Sequence, residues 1–160
     1  MKIISYDDKY KNQVIDLILH IQNVEYSVGL SIEDQPDLID IVKSYFTDGG
    51  SFWVAIDNGR VIGTLGLQKR ENQVGILKKF FVCKEYRGKE FSVSIKLYDE
   101  LLKYAKMKKI KSIILDTPAV ANRSHSFYKK IGFKEITKEQ LPIKYDFPDR
   151  NSLLFILRLS

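Results

Sequence analysis

The sequence predicts an α/β domain built on a mixed sheet, antiparallel at first, parallel at its middle and antiparallel again at its end. Three observations carry this. Asn58-Gly59 stands between two β-rich runs, residues 52–56 and 61–65, and Asn-Gly so placed is the strongest short hairpin signal. The apolar run Phe80-Phe81-Val82-Cys83 is followed by a polar turn, a long stretch of helical spacing and a compact apolar run over 112–115. That strand–helix–strand order makes a right-handed parallel crossover. A final apolar run over 153–159 follows a Pro-containing loop and closes the sheet.

The elements are justified in chain order. Residues 2–5 read as a short first strand, and Asp7 and Asp8 offer N-caps to a helix whose apolar face is Val14, Ile15, Ile18 and Ile21. Periodicity lapses over 23–35, which predicts a loop or broken helix containing Gly29. Pro36 suits the first turn of a second helix carrying Leu38, Ile41, Val42 and Tyr45, ended by Asp48-Gly49-Gly50. After the hairpin, a strand over 74–83 leads through Lys84-Glu85-Tyr86-Arg87-Gly88-Lys89 into a helix with Ile95, Tyr98, Leu102 and Ala105 on one face. Beyond 112–115, either Thr117 caps a helix with Pro118 at its first position, or a loop runs on and Asn122 caps a shorter one. Gly132 stops that helix, 133–136 reads as a strand, and 137–150 with Pro142 and Pro148 reads as a loop.

At 160 residues with 44% apolar content, the chain is expected to be one domain spanning residues 1–160. No apolar run approaches the ~20 residues that span a bilayer. The N-terminus turns polar at once, so a signal peptide is not expected. The single Cys83 forms no internal disulfide and has no neighbouring metal ligands, so no metal and a cytoplasmic location are expected. The net charge of +6 admits an anionic partner: nucleic acid, an acidic membrane face or a polyphosphate cofactor. Lys78, Lys79, Lys84, Arg87 and Lys89 gather at the central turn. Aromatic residues suited to base stacking are not interleaved with them, apart from Tyr86 and the core-like Phe80 and Phe81, so no nucleic acid is expected. A strand feeding a basic, Gly-containing turn that opens a helix aims backbone N–H groups and a positive dipole end at one point, which suits phosphate oxygens.

Arg87-Gly88-Lys89-Glu90-Phe91-Ser92 behind an apolar strand resembles the coenzyme A-binding motif of the GCN5-related N-acetyltransferases, GNAT. The family pattern is Arg or Gln, two residues, Gly, one residue, then Gly or Ala. Arg87 matches it, while Glu90 stands where the family has Gly and Ser92 where it has Gly or Ala. Phe127-Tyr128-Lys129-Lys130-Ile131-Gly132-Phe133, some forty residues on, is similar to the family's last motif block. Ala121 lies seven residues before Tyr128, where the family often has Asn, and Asn122 follows it. The resemblance covers roughly residues 52–136.

That resemblance implies a GNAT-like acyl-CoA N-acyltransferase fold: a central, mostly antiparallel sheet with a splayed parallel strand pair, flanked by helices. It implies acetyl-CoA (coenzyme A) as cofactor and direct transfer of acetyl to a primary amine of a small molecule or peptide. The strands are expected to part at Val82. Phe81 and Val82 would lie along the pantetheine arm, and the Val82 amide would polarise the thioester carbonyl. Arg87, Gly88, Lys89, Glu90, Ser92 and Val93 would cradle the pyrophosphate, Asn122 would meet the cofactor arm, and Tyr128 would protonate the departing thiolate. Glu90 either points to solvent while its N–H serves, or lowers phosphate affinity. The alternative function is an acyl-CoA-binding regulatory or interaction module with the same fold and little catalysis.

For the base that accepts the amine's proton, Glu25, Asp34, Asp116 and His125 are candidates; His125 and His20 read more readily as structural, His20 as a packing residue of the first helix. Cys83 reads as a small core residue. Residues 23–35 and 137–149 are the expected acceptor loops, and pairing of the last strand with a second copy would make a homodimer.

Overall fold

The computed structural model describes residues 1–147 and 151–159, and of residues 88–91 the backbone course alone. Pro148 and Asp149, which close the expected second acceptor loop, and Arg150 after them lie outside the described residues. The strands are β1 (Lys2–Ser5), β2 (Ser51–Asp57), β3 (Arg60–Lys69), β4 (Val74–Val82), β5 (Ser112–Thr117), β6 (Lys134–Ile136) and β7 (Leu153–Arg158). They form one mixed sheet in the order β1-β2-β3-β4-β5-β7-β6. All neighbouring pairs are antiparallel except β4 and β5, as expected. Asn58 (φ 50°) and Gly59 (φ 76°) both take positive φ at the β2–β3 hairpin, which a tight turn of that hand requires. Strand β7 is inserted between β5 and β6, so both its edges are used within the chain and the expected pairing of this strand with a second copy is overturned.

The helices are α1 (Lys11–His20), α2 (Pro36–Ile39), α3 (Glu90–Met107) and α4 (Asn122–Lys130). Asp7 caps a short 3₁₀ turn, accepting from the Lys9 N–H at 2.9 Å, and α1 then runs into a π-helical turn, Ile21–Glu25. Val14, Ile18 and Ile21 are buried as predicted, but His20 is exposed and does not pack in the core. The second helix is interrupted rather than continuous. Asp40 takes a non-helical conformation (φ −138°) and its carboxylate accepts from the Lys43 N–H at 3.0 Å, ending one segment and capping the next. Val42, expected inside, is exposed as a result.

One core cluster joins the sheet to α3 and α4, through Leu65, Leu97, Leu101, Tyr128 and Phe155 among others. A second joins β2 and β3 to α1 and the α2 region, through Val14, Ile18, Leu38 and Phe52. The buried stripe of α3 is Val93, Leu97, Leu101 and Ala105 with Tyr98, while Ile95 and Leu102 are only half-buried flanks. Several stripes fit the helical period in that sequence, and the sheet selects the one that sits squarely over it. Thr117 remains in β5, so the shorter alternative holds for α4, with Ala121 rather than Asn122 at the N-cap.

Candidate active site

Only three rungs join β4 to β5: Val74↔Ser112, Gly75↔Ile113 and Ile76↔Ile114. Beyond them β5 continues along β7 to Thr117, and β4 continues along β3 to Val82. The strands therefore part after Ile76, well before Val82, where parting was expected. A bulge in the freed half of β4 accompanies the separation. Thr64 faces Phe81 and Gly66 faces Lys78, so Leu65 alone opposes Lys79 and Phe80. Lys79 takes φ 56°, and the buried Thr64 hydroxyl donates to its carbonyl at 2.7 Å, which fixes the extra residue in place. A bulge bends its strand and raises the local twist, re-aiming the side chains around it.

Hydrogen-bond alternation then decides which amides face the gap. The Cys83 N–H donates to the Ile62 carbonyl at 2.7 Å, so Cys83 and Ile62 form a bonded pair. Val82, one residue earlier, belongs to a non-bonded pair with Gly63, and its N–H and C=O point away from β3. The strand period of two places the Phe80 N–H on the same edge. The Val82 carbonyl accepts from Arg87 Nε at 3.0 Å, consistent with that orientation.

Two cavities lie along the gap. The larger, about 160 Å³, is lined by Lys78, Lys79 and Phe80 of β4, Asp116 of β5, and Ser124 and Tyr128 of α4, among others. The smaller, about 50 Å³, has Val82, Arg87 and Arg123 in its wall. Phe80, Phe81 and Ser124 line both, so the two meet across these residues. Val82 and Tyr128, both assigned to catalysis, line different cavities.

Tyr128 is buried among aromatic rings, 5.6 Å from Phe133 and 6.0 Å from Phe155 between centroids. Its hydroxyl makes no hydrogen bond among the described residues. Burial first, then the nearby Asp116 charge and Tyr26, hold its pKa well above that of an ordinary phenol. Burial also pushes the Asp116 carboxyl up; Lys78, a hydrogen bond from the Tyr145 hydroxyl at 3.3 Å, and Lys79 oppose the rise. Burial pushes the Lys79 ammonium down, partly countered by Asp37, whose Oδ2 lies 3.6 Å from Nζ and also accepts from the Tyr45 hydroxyl at 2.6 Å.

The other expected site residues fall as follows. Arg87 is not a solvated turn charge: it turns inward, ion-paired with Glu25 and bonded to the Val82 carbonyl. Of Gly88, Lys89 and Glu90 the backbone course alone is described, and the direction of the Glu90 side chain lies outside the described residues. Ser92 is exposed, and the Val93 side chain packs into the core. Asn122 is exposed and lines neither cavity; Ser124, two residues on, lines both. Of the candidate bases, Glu25 is taken by Arg87 and Asp34 is exposed, closing a local turn with Ser31. His125 is buried, and its Nε2 bonds the Pro118 carbonyl at 2.8 Å, tying the β5–α4 loop to the helix. Asp116 alone of these shares a cavity with Tyr128. Cys83 is buried; its thiol donates to Glu85 at 2.7 Å and accepts from Arg60 at 3.2 Å, and burial pushes its pKa up, away from the thiolate. The residues missed from sequence are Lys78 and Lys79, read only as part of a basic cluster, and Ser124, whose position one turn before Tyr128 on the same helix face was the available signal.

A strand pair held at one end and parted at the other, beside a buried tyrosine on the following helix, defines the class. The chain belongs to the Acetyltransferase (GNAT) family, which matches residues 15–133. The family uses acetyl-CoA as its donor. The structure is similar to that of a GNAT-family acetyltransferase from Staphylococcus aureus Mu50, with TM-score 0.94, 35% identity and 99% of each chain covered. Among curated relatives, the probable N-acetyltransferase camello of Xenopus tropicalis is 29% identical over 109 residues, 66% of this chain and 49% of that protein. The N-acetylaspartate synthetase of the same organism is 34% identical over 102 residues, 62% of this chain and 37% of that protein. The chain thus spans about half or less of the length of these relatives.

The parted strands fit such a donor. The freed edge of β4 offers amides at Phe80 and Val82 to an extended arm, and the strand–turn–helix join at Lys84–Lys89 stands at the end of that edge. Among the described residues no group of three or more His, Cys, Asp or Glu side chains could hold a metal ion. No helix among them is long and apolar enough to cross a membrane.

Proposed function

We propose that this chain is an acetyl-CoA-dependent N-acetyltransferase that passes the acetyl group directly to a primary amine with donor and acceptor bound together. The observation that supports it most is the meeting, in one cavity, of the unpaired β4 edge, a carboxylate raised in pKa and a buried phenol. The donor, when bound, supplies an acetyl thioester.

The chain's own residues then divide the work. Amides on the freed edge of β4 donate to the carbonyl oxygen as it gains negative charge, an effect of about 3 kcal/mol for one well-placed donor. Phe80 is better placed for this than Val82, because Phe80 lines the Tyr128 cavity; the Val82 amide serves the pantetheine arm instead. Asp116 takes a proton from the acceptor ammonium, and its raised pKa makes it a stronger base than an ordinary aspartate. Tyr128 stays protonated at neutral pH, so it gives its proton to the departing sulfur and regains one from the acylated nitrogen. Arg87 and the amides of the turn and first helical turn after it hold the pyrophosphate, Arg87 exchanging the Glu25 carboxylate for phosphate oxygens.

An acetyl-CoA turnover screen across amine classes, reporting thiol release, tests this. Thiol release dependent on one amine class supports the reading. Absence of acetyl-CoA binding by calorimetry at millimolar ligand sinks it, and binding without turnover of any amine favours the regulatory module.

A further inference from the structure

The last rung between the parallel strands is Ile76↔Ile114. Two residues further along each strand, on the same face, come Lys78 and Asp116. In an unbroken sheet their strands would stay ~4.8 Å apart and the opposite charges would pair. The splay prevents it. No ion pair within 4.0 Å joins them, yet both line the cavity that holds Tyr128. The Asp116 carboxylate receives the Tyr145 hydroxyl, while Lys78 makes no hydrogen bond and no ion pair within 4.0 Å among the described residues and acts on Asp116 only at longer range. Lys79 differs, because Asp37 already answers it. The cavity where the acceptor amine must stand therefore presents Lys78 and Asp116 as a separated cation and anion in its wall, together with the ion-paired Lys79 and a second carboxylate, the exposed Asp146.

We infer that the acceptor is a small free amino acid, its ammonium held by Asp116 and its carboxylate by Lys78. This rests on the transferase reading above and narrows its substrate class. A free amino acid carries both charges on neighbouring atoms and bridges such a pair. A diamine would leave Lys78 without an anion and would have to turn its second ammonium to Asp146, and a peptide N-terminus would bring an amide that leaves the lysine unanswered. The cavity of about 160 Å³ suits a small molecule.

The test uses the intact chain with acetyl-CoA and a panel of free α-amino acids, their C-terminal carboxamides and aliphatic diamines. At least one free amino acid should release thiol with kcat/KM about tenfold or more above its carboxamide, since a site built for a polar group rejects the analogue lacking it. Lys78→Met should raise KM for the amino acid by about tenfold, leave the carboxamide nearly unchanged and leave coenzyme A affinity intact. Equal turnover of acid and carboxamide, a diamine as best acceptor, or an equal effect of Lys78→Met on acid and carboxamide overturns the inference. Calorimetry of the amino acids against the coenzyme A-loaded protein separates the two readings. Amino acid binding without turnover counts against the transferase and for this site, whereas turnover of other amines with no amino acid binding does the reverse.

Discussion

The two halves of β4 contrast within a single strand. Over Val74–Ile76 the backbone is laddered to β3 on one side and β5 on the other, and Val74 and Ile76 are buried in a cluster with Ile114, Ile143 and Ile156. From Leu77 to Val82 the β5 side is open, two lysines appear, and a bulge breaks the register with β3. The first half is held by packing and complete hydrogen bonding. The second leaves backbone donors on its open edge and Lys78 without an ion pair among the described residues, Lys79 being answered by Asp37. The boundary between scaffold and chemistry is thus one rung wide.

Substitutions on either side of that rung should separate the two roles. The largest effect is expected from Asp116→Asn, with turnover down about a thousandfold, equivalent to about 4 kcal/mol, in steady-state assays. The same variant should melt higher at neutral pH. Burial raises the folded pKa of Asp116, so its contribution to stability is full below the unfolded pKa and is lost as pH rises through the folded one. The advantage of Asn should therefore fade on acidification, while wild-type turnover falls as pH drops through that raised pKa. A kcat profile with its acid limb at or below the ordinary aspartate range would remove Asp116 as the base. Next comes Ile76→Ala in the paired half, expected to lower stability by about 3 kcal/mol in urea titration while the folded fraction keeps its coenzyme A affinity. Tyr128→Phe should cut turnover about a hundredfold, about 2.7 kcal/mol, with little change in cofactor binding, and unchanged rates would take Tyr128 out of the mechanism. The smallest is Thr64→Val, which removes the hydroxyl bond to the bulge at Lys79 and should cost about 1 kcal/mol of stability, with a proportionate loss of turnover.

Much of the sheet was legible because its signals are local. Asn58-Gly59 fixes a turn by itself, and strand β4, the basic turn and helix α3 appear in the sequence as a change of hydrophobic period. Tyr128 was legible through the motif block around it, and it does sit on the cavity. Other features depended on groups far apart in the chain. The parting after Ile76 follows from the ladder with β5 ending and from the bulge secured by Thr64, which no local pattern announces. Arg87 was legible as a residue of the phosphate turn, but its pairing with Glu25, sixty-two residues earlier, appears only on folding. Lys78 and Asp116 read as unrelated polar residues, since only the register of β4 against β5 sets them at one level. His20 fitted an apolar stripe by spacing, but the stripe is narrower than the spacing allows.

The insertion of β7 between β5 and β6 has a consequence for biosynthesis. Every described strand pairing of β6, and every one along the outer edge of β5, is made with residues Leu153–Arg158. A ribosome adding about 5–20 residues per second releases the hairpin and the crossover well before that strand. Until it emerges, the outer edge of β5 that carries Asp116 is bare, an open edge of the kind that chaperones shield and that neighbouring nascent chains can capture. The outer edge of β5 beside the donor cleft is consequently covered only after residues Leu153–Arg158 have been made.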